Sequence, residues 1–283
     1  MAKIIGKKII RLEQVDSTNS YLKNRKQLLQ QHGLVVITKK QTAGRGRAGR
    51  KFLSLPEKNL TFSIVLHPNL PLAEVQIFAL LAGIVVARVL DNYFSNIRLK
   101  WPNDVLVRER KICGILLETD VIPEHNFPVL ILGIGLNTKG GLIDYPDELQ
   151  SIITTMELES ASSSKLTNTP GNLPLIDNET VLQQLLTELE QSLEDFSFCP
   201  SVTHNNEVIN DGRAALLKEW LQRADAIGRK VRSLNKKEEQ KKHPGTVGII
   251  EGMSREGFLL IRTANGHLIT HVTGDILEIK GDK

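Results

Sequence analysis

The sequence predicts an α/β protein of the α+β kind, with a mixed, mainly antiparallel sheet and helices, followed by a small C-terminal β-barrel. Three observations predict this class. Short β-branched runs alternate with helical patterns through residues 1–140. One long apolar segment, residues 75–90, has the composition of a buried core helix. Past Gly228 the chain changes to short strands separated by glycines, which is typical of a small barrel.

The elements are predicted in chain order from the same patterns. The N-cap residues of the segment Asp16–Asn19 predict a helix that starts there and extends past Leu28. Pro102 predicts a turn after the strand before it, because proline donates no backbone hydrogen bond. Strands are expected at residues 9–12, 35–38, 60–66, 97–100, 104–107, 111–118 and 129–136, and later helices at 181–196 and 214–221. Barrel strands are expected at residues 230–234, 245–252, 257–263, 267–272 and 276–279.

This pattern predicts two domains, residues 1–225 and residues 226–283. Within the first, residues 140–178 lose periodicity and become rich in serine, threonine and proline, so we expect an irregular surface insertion. The lysine-rich run 235–243 predicts a solvated hairpin loop, with a contact surface for an acidic partner as the alternative.

Composition and charge argue against several classes of protein. The net charge of +4 and pI near 9.0 fit an acidic or phosphorylated ligand better than DNA wrapping. Cys113 and Cys199 are too few for a disulfide scaffold, and the seven histidines lack metal-ligand spacing, so no metal site built from dedicated protein ligands is expected. The N-terminus lacks the apolar core of a signal peptide, and no run reaches the roughly 20 apolar residues of a membrane span. We therefore expect a cytoplasmic protein without a membrane partner.

The most informative segment is Gln41–Lys51, where Gly44, Gly46 and Gly49 are set among Arg45, Arg47, Arg50 and Lys51. Glycine lets the backbone approach a ligand closely, and guanidinium groups bind carboxylate or phosphate oxygens in pairs. The segment is therefore predicted to close over an anion. A flexible solvated loop or an RNA-binding tail would share this composition, but strands are predicted on both sides of it. The phosphate-loop motif is absent, and the glycines of this segment lack the strand-then-helix context of a dinucleotide fingerprint.

Five motifs in order make the chain resemble the biotin–protein ligases. They are Asp16-Ser-Thr-Asn19, Gln41-Thr-Ala-Gly-Arg-Gly-Arg-Ala-Gly-Arg50, Lys100-Trp-Pro-Asn-Asp104, Lys111-Ile-Cys-Gly-Ile-Leu-Leu-Glu118 and Gly133-Ile-Gly-Leu-Asn137. The resemblance implies a class II synthetase-like catalytic domain followed by an SH3-like barrel. It also implies that biotin and ATP, with Mg²⁺ on the nucleotide, give biotinyl-5′-adenylate, and that biotin then passes to a lysine of a biotin carboxyl carrier domain of a carboxylase.

The resemblance also implies roles for individual residues. Lys111 would bridge the biotin carboxylate and the α-phosphate as an electrostatic catalyst together with Arg45, and Asp104 would orient the acceptor lysine. Biotin contacts are implied for Ser17, Thr18, Asn19, Gln41, Gly44, Arg45, Gly46, Arg47, Lys111, Gly114, Gly133 and Gly135. Nucleotide contacts are implied for Arg47, Arg50, Phe52, Asn103, Lys111 and Asn137. Because clustered arginines repel one another, we expect the loop to be disordered until an anion binds.

Two features depart from the family pattern. Phe52 stands where members usually carry a tryptophan against adenine, so the affinity for ATP is expected to differ. Only about a dozen residues precede the catalytic domain, so we expect no DNA binding and no repressor role. A lipoate–protein ligase is the nearest alternative, and a non-catalytic module that senses biotin or binds nucleic acid is the other. We expect a monomer or a homodimer.

Overall fold

A computed structural model of the protein describes residues 4–123, 125–162, 176–195, 212–234 and 245–279. A seven-stranded sheet forms its larger part. Its strands are β1 (Ile9–Val15), β2 (Val35–Gln41), β3 (Asn59–Leu66), β4 (Ile97–Lys100), β5 (Asp104–Val107), β6 (Arg110–Asp120) and β7 (Val129–Asn137). They lie in the order β1-β2-β3-β7-β6-β5-β4. The first pair is parallel and the other neighbours are antiparallel, which confirms the mixed, mainly antiparallel sheet.

Seven α-helices accompany this sheet in the described residues. They are α1 (Thr18–Lys23), α2 (Lys26–Leu29), α3 (Ile77–Leu90), α4 (Asp147–Gln150), α5 (Met156–Ala161), α6 (Asn178–Asp195) and α7 (Arg213–Ala224). The Ser17 side chain accepts the backbone N–H of Ser20 and so caps α1, as the sequence predicts. The predicted single helix through Leu28 is wrong, because Arg25 has a non-helical backbone and separates α1 from α2.

Strand alternation gives the large sheet two different faces. In β3, Leu60, Phe62, Ile64 and Leu66 belong to the core under the helices, whereas Thr61 and Ser63 point the other way. Strand β7 repeats this division, with Leu130, Leu132, Ile134 and Leu136 in the core and the glycines Gly133 and Gly135 on the opposite side. The second side is called here the cleft face. Around Thr61, Ser63, Gly133 and Gly135 its residues are small or polar, which leaves room for a ligand. Farther along the same strands, Val65 and Ile131 pack with Leu22 and Leu29 in a second apolar cluster.

Helix α3 is the core helix that the apolar segment predicts. Every residue in it except Arg88 is buried, and α6 and α7 pack beside it. With the turn before it, residues 72–90 are long and apolar enough to cross a membrane, yet 72% of the window is buried inside the protein. The segment therefore covers the sheet as the core helix of a folded domain does.

A second sheet of five antiparallel strands follows, which confirms the small C-terminal β-domain. Its strands are β8 (Lys230–Leu234), β9 (Thr246–Met253), β10 (Leu259–Thr263), β11 (Leu268–His271) and β12 (Asp275–Glu278), in the order β11-β10-β9-β8-β12. Its apolar residues Val231, Ile250 and Ile261 join the same core as α3. The division into domains at residues 225 and 226 stays a prediction.

The predicted insertion at residues 140–178 is more ordered than its composition suggests. Helices α4 and α5 lie within it, and α6 already begins at Asn178. The Thr155 side chain accepts the backbone N–H of Leu158, so a threonine whose surroundings have a loop-like composition starts α5. Residues 163–175 of the insertion, the lysine-rich run 235–243 and Cys199 lie outside the described residues.

Candidate active site

A cleft of about 690 Å³ opens between the cleft face, the loop of residues 44–51 (called here the Gly/Arg loop) and the C-terminal domain. It is lined by these predicted site residues: Ser17, Thr18, Asn19, Gln41, Arg45, Gly46, Arg47, Arg50, Phe52, Asn103, Asp104, Lys111, Gly114, Gly133 and Gly135. Gly44 and Asn137 are not among the lining residues. Asn137 is buried, and its side chain bonds to Asn59 and to the carbonyl of Thr154. Five separate sequence motifs thus contribute residues in or beside one cleft.

Two paired glycines form the floor of the cleft. Gly114 of β6 lies opposite Gly135 of β7, and the ring of Phe52 rests on them. A methyl group at Gly135 would collide with this ring, and one at Gly133 would collide with the side chain of Asn19. These glycines are therefore required for close approach of other groups to the sheet, as the sequence predicts in general terms.

One end of the cleft is lined mainly by neutral polar side chains, with the carboxylate of Glu118 at its edge. Gln41 Oε1 accepts from the backbone N–H of Thr18 at 2.8 Å and from its hydroxyl at 3.2 Å. The Ser63 hydroxyl oxygen lies 2.6 Å from Thr18 Oγ1 and 2.5 Å from Asn19 Oδ1, within hydrogen-bond distance of both. Ser17, Thr18 and Asn19 are almost fully buried, so their polar atoms are held in place by one another. Such an end suits a neutral ligand group that exchanges hydrogen bonds.

The other end is closed by the Gly/Arg loop, which is folded into a narrow hairpin. Phe52 donates its backbone N–H to the carbonyl of Gly44 at 2.9 Å, and Gly46 donates to Arg50 at 2.7 Å. Between them, Ala48 and Gly49 have positive φ angles. The expected disorder of the loop before an anion binds stays a prediction. In this hairpin, carboxylates of the protein lie beside the arginines and offset their repulsion.

Those carboxylates come from two different parts of the chain. Glu118 of β6 contacts Arg45 and also accepts from Asn19 Nδ2 at 3.1 Å. Asp275 of the C-terminal domain contacts Arg50. Arg47 lies between them, with its guanidinium 5.8 Å from the ring centroid of Trp101. Burial lowers the pKa of Arg47, and Asp275 opposes that shift, so this side chain keeps its charge in a partly enclosed site.

Lys111 reaches the cleft because of a β-bulge. The register between β5 and β6 shifts at Val105 and Leu106, where Lys111 and Cys113 pair with neighbouring residues and Ile112 is the extra residue. The bulge puts Lys111 on the same face as Gly114, three positions away, although regular alternation would place them on opposite faces. Lys111 Nζ lies 2.6 Å from Asp104 Oδ1, which forms an ion pair beside the glycine floor.

The turn before β5 is held by both domains. Asn103 donates its side-chain amide to the carbonyl of Ile115, and its own carbonyl accepts the N–H of that residue at 3.0 Å. Trp101 is buried, and its indole N–H donates to the carbonyl of Gly257 at 3.1 Å. The C-terminal domain thus contacts the turn that carries Asp104.

Several residues that line the cleft have no role predicted from the sequence. Glu118 belongs to one of the five motifs, and its even spacing from Gly114 along β6 puts both on one face, a signal that could have found it. Lys100 and Thr61 likewise lie within motif or strand segments without a predicted role. No pattern in the sequence marks Thr273–Leu277 of the C-terminal domain as part of the cleft, because their position depends on how the two sheets pack.

No group of three or more His, Cys, Asp or Glu side chains within the described ranges is arranged to hold a metal ion. Three histidines do cluster near one end of β3. The ring centroids of His32 and His67 are 5.4 Å apart, and those of His67 and His125 are 4.3 Å apart. His32 Nδ1 accepts the backbone N–H of His67 at 3.1 Å. Burial is the main reason that the pKa values of His32 and His67 lie below the usual value, so the neutral rings are favoured.

Comparison with known proteins identifies the family. The profile of the Biotin/lipoate A/B protein ligase family matches residues 12–137, which include every predicted site residue. The bifunctional ligase/repressor BirA of Bacillus spizizenii is 30% identical over 268 residues, covering 93% of this chain and 72% of the relative. The chain belongs to the biotin protein ligase family. A biotin–[acetyl-CoA-carboxylase] ligase of Paracoccus denitrificans is 26% identical over 83% of this ligase and 86% of its own length.

Solved structures agree with this assignment. A biotin protein ligase from Aquifex aeolicus, in complex with biotin and ATP, superimposes with a TM-score of 0.70 at 26% identity. The match covers 97% of this ligase and the whole of the Aquifex chain, so it includes the C-terminal β-domain as well as the large sheet. The resemblance proposed from the five sequence motifs is therefore confirmed.

Proposed function

We propose that the cleft condenses biotin with ATP to biotinyl-5′-adenylate and pyrophosphate, and that the ligase then transfers biotin to a lysine of a biotin carboxyl carrier domain of a carboxylase. The observation that carries this proposal is the division of one cleft into a neutral polar end and a cationic end. Biotin has the same division, with a neutral ureido ring at one end and a carboxylate at the other.

The polar end would hold the ureido ring. Thr18, Asn19 and Gln41 already form one hydrogen-bonded set, so their orientation is fixed before a ligand enters. The valeryl chain would then run past Gly133, whose missing side chain lets Asn19 lie close against the strand. This path directs the carboxylate towards Lys111 and Arg45.

The cationic end would carry out the first chemical step. A carboxylate oxygen of biotin attacks the α-phosphorus of ATP, the bond from that phosphorus to the bridging oxygen breaks, and pyrophosphate leaves. Both reacting groups are anionic, so fixed cations lower the barrier where negative charge accumulates. Lys111, Arg45 and Arg47 supply these charges, with Arg50 towards the outer phosphates and Phe52 against adenine. Mg²⁺ would enter with the nucleotide phosphates, near the side-chain oxygen of Asn103, which lines the cleft.

The second step joins biotin to the carrier. The lysine amine attacks the acyl carbon of the adenylate, AMP leaves, and the amine loses a proton. Asp104 lies in the cleft beside Lys111 and would orient the incoming amine. The expected absence of DNA binding, the cytoplasmic location and the monomeric or dimeric state stay predictions.

The test is ATP–pyrophosphate exchange with biotin, lipoate or octanoate, followed by transfer to a purified biotin carboxyl carrier domain. We expect exchange with biotin alone, and labelling of one carrier lysine that is lost when that lysine is replaced by arginine. Exchange with lipoate in place of biotin would identify a lipoate ligase. Absence of exchange with all three acids would leave a binding module and refute the proposed reaction.

A further inference from the structure

The backbone of Lys111 is held by a segment for which the sequence predicts no role. Strand β7 ends at Asn137, and its pairing with β6 reaches only to Cys113, so β7 provides no partner for Lys111. Residues 152–154 take that place. The N–H of Lys111 donates to the carbonyl of Ile152 at 2.8 Å, and the N–H of Thr154 donates to the carbonyl of Lys111 at 2.9 Å.

Glu159 of helix α5 holds residues 152–154 in place through its contact with Thr154. Its carboxylate accepts the hydroxyl of Thr154 at 2.6 Å and the guanidinium of Arg110 at 2.8 Å, and it lies 3.6 Å from Arg108. The side chain is only 1% exposed. A carboxylate this deeply buried is costly to keep charged unless such partners hold it, so its geometry is constrained.

The same carboxylate steadies an unfavourable turn. Arg108 and Glu109 form the two-residue turn between β5 and β6, and their φ angles are 48° and 65°. Positive φ at two successive non-glycine residues is disfavoured, so this turn depends on outside contacts. Arg108 is tied to α5 through Glu159 and the carbonyl of Ser162, and Glu109 is tied to Arg98. Lys111 follows this turn by two positions.

We infer that Glu159 is a positioning residue for Lys111, acting through Thr154 and the turn at Arg108 rather than by touching a substrate. This inference rests on the proposed function, because it concerns the lysine that would stabilise the transition state. Displacement of a catalytic group by about 1 Å can cost as much as 10²-fold in rate. Loss of the Glu159 carboxylate should therefore slow adenylate formation much more than it weakens biotin binding, because the ureido ring is bound at the other end of the cleft.

The decisive variant is Glu159→Gln, measured by the single-turnover rate of biotinyl-adenylate formation and, separately, by the Kd for biotin. We expect the rate to fall about tenfold or more and the Kd to stay within about twofold. Glu157→Gln is the matched control, because this exposed glutamate lies on the same helix and its carboxylate binds the backbone of Gly140 instead. The control should keep the rate of the unmodified enzyme.

A second pair of variants covers the case in which Glu159→Gln does not fold. Thr154→Val keeps the shape of the buried side chain but removes the hydroxyl that bonds to Glu159, whereas Thr154→Ser keeps the hydroxyl. We expect Thr154→Val to lower the rate of adenylate formation and Thr154→Ser to keep most of the rate of the unmodified enzyme. Equal rates for the two variants would overturn the inference.

A double-mutant cycle with Lys111→Ala tests whether the effect passes through the lysine. If it does, Glu159→Gln should change the residual rate of Lys111→Ala by less than about twofold. An equally large fall in both backgrounds, or no fall in either, would refute a role through Lys111. An unmodified enzyme without biotin-dependent exchange would instead refute the proposed function, so the two failures are distinguishable.

Discussion

Replacement of Lys111 by alanine should slow adenylate formation for two separate reasons. The first is the loss of a preorganised cation, which costs about 10² to 10³ in rate at comparable sites. The second is that Asp104, now 2.6 Å from Lys111 Nζ, would lose its counter-ion and face the anionic substrates alone. Two like charges about 4 Å apart repel by roughly 4 kcal/mol at an effective dielectric constant of ~20, so this term is of the same order.

The double variant Lys111→Ala, Asp104→Asn separates the two causes. Removal of the unpaired carboxylate should return up to about 10³-fold of the lost rate, because a repulsion of roughly 4 kcal/mol corresponds to that factor while the cation remains absent. The assay is single-turnover formation of the adenylate, which avoids the transfer step in which Asp104 has its own proposed role. A near-normal rate for Lys111→Ala would refute the electrostatic argument. A double variant as slow as Lys111→Ala alone would refute the repulsion.

Three further predictions use other parts of the structure. Gly135→Ala should displace the Phe52 ring and raise KM for ATP about tenfold, since overpacking typically costs about 1–3 kcal/mol. The measurement is ATP–pyrophosphate exchange at saturating biotin, and an unchanged KM would count against Phe52 as the adenine contact. Trp101→Phe should lower the free energy of unfolding by about 1 kcal/mol in denaturant titration, because the hydrogen bond of its indole N–H to the C-terminal domain is lost; equal midpoints would contradict this. Because burial lowers the pKa values of His32 and His67, the stability that depends on their neutral forms is complete above pH 6.5 and is lost as the pH falls. His32→Asn, whose side-chain oxygen can still accept the same N–H, should therefore reduce the fall of the melting temperature between pH 7.5 and 5.5. An unaltered dependence of the melting temperature on pH would exclude His32 as its source.

The sequence predicted the parts of the site that depend on local chemistry. Glycine and arginine at residues 44–50 predicted an anion-binding loop, and the N-cap residues near Ser17 predicted the start of α1. The residues of strand β7 also indicate which part of the strand faces the cleft. One face carries leucine or isoleucine along its whole length, whereas the other changes from Val129 and Ile131 to Gly133 and Gly135, so the start of the glycines marks where the cleft begins.

Other features could not be predicted because they depend on tertiary contacts. The bulge at Ile112 reverses the direction of Lys111, and nothing in that run of residues marks it. Asp275 reaches Arg50 only because the two sheets pack together. Residues 152–159 resemble a loop in composition, yet they complete the sheet beside Lys111, since a neighbouring strand happens to end there. Such pairings join distant positions and leave no periodic pattern.

The pairs of Arg45 with Glu118 and of Arg50 with Asp275 have a consequence for how salt should affect the enzyme. When an arginine tail binds nucleic acid, counter-ions condensed on the phosphates are released into solution, which makes the affinity fall steeply with ionic strength. In this cleft the counter-ions are covalently attached, so an arriving carboxylate or phosphate replaces aspartate or glutamate instead of dissolved chloride. Binding is then an exchange between anions at fixed guanidinium groups, and its dependence on ionic strength is correspondingly shallow.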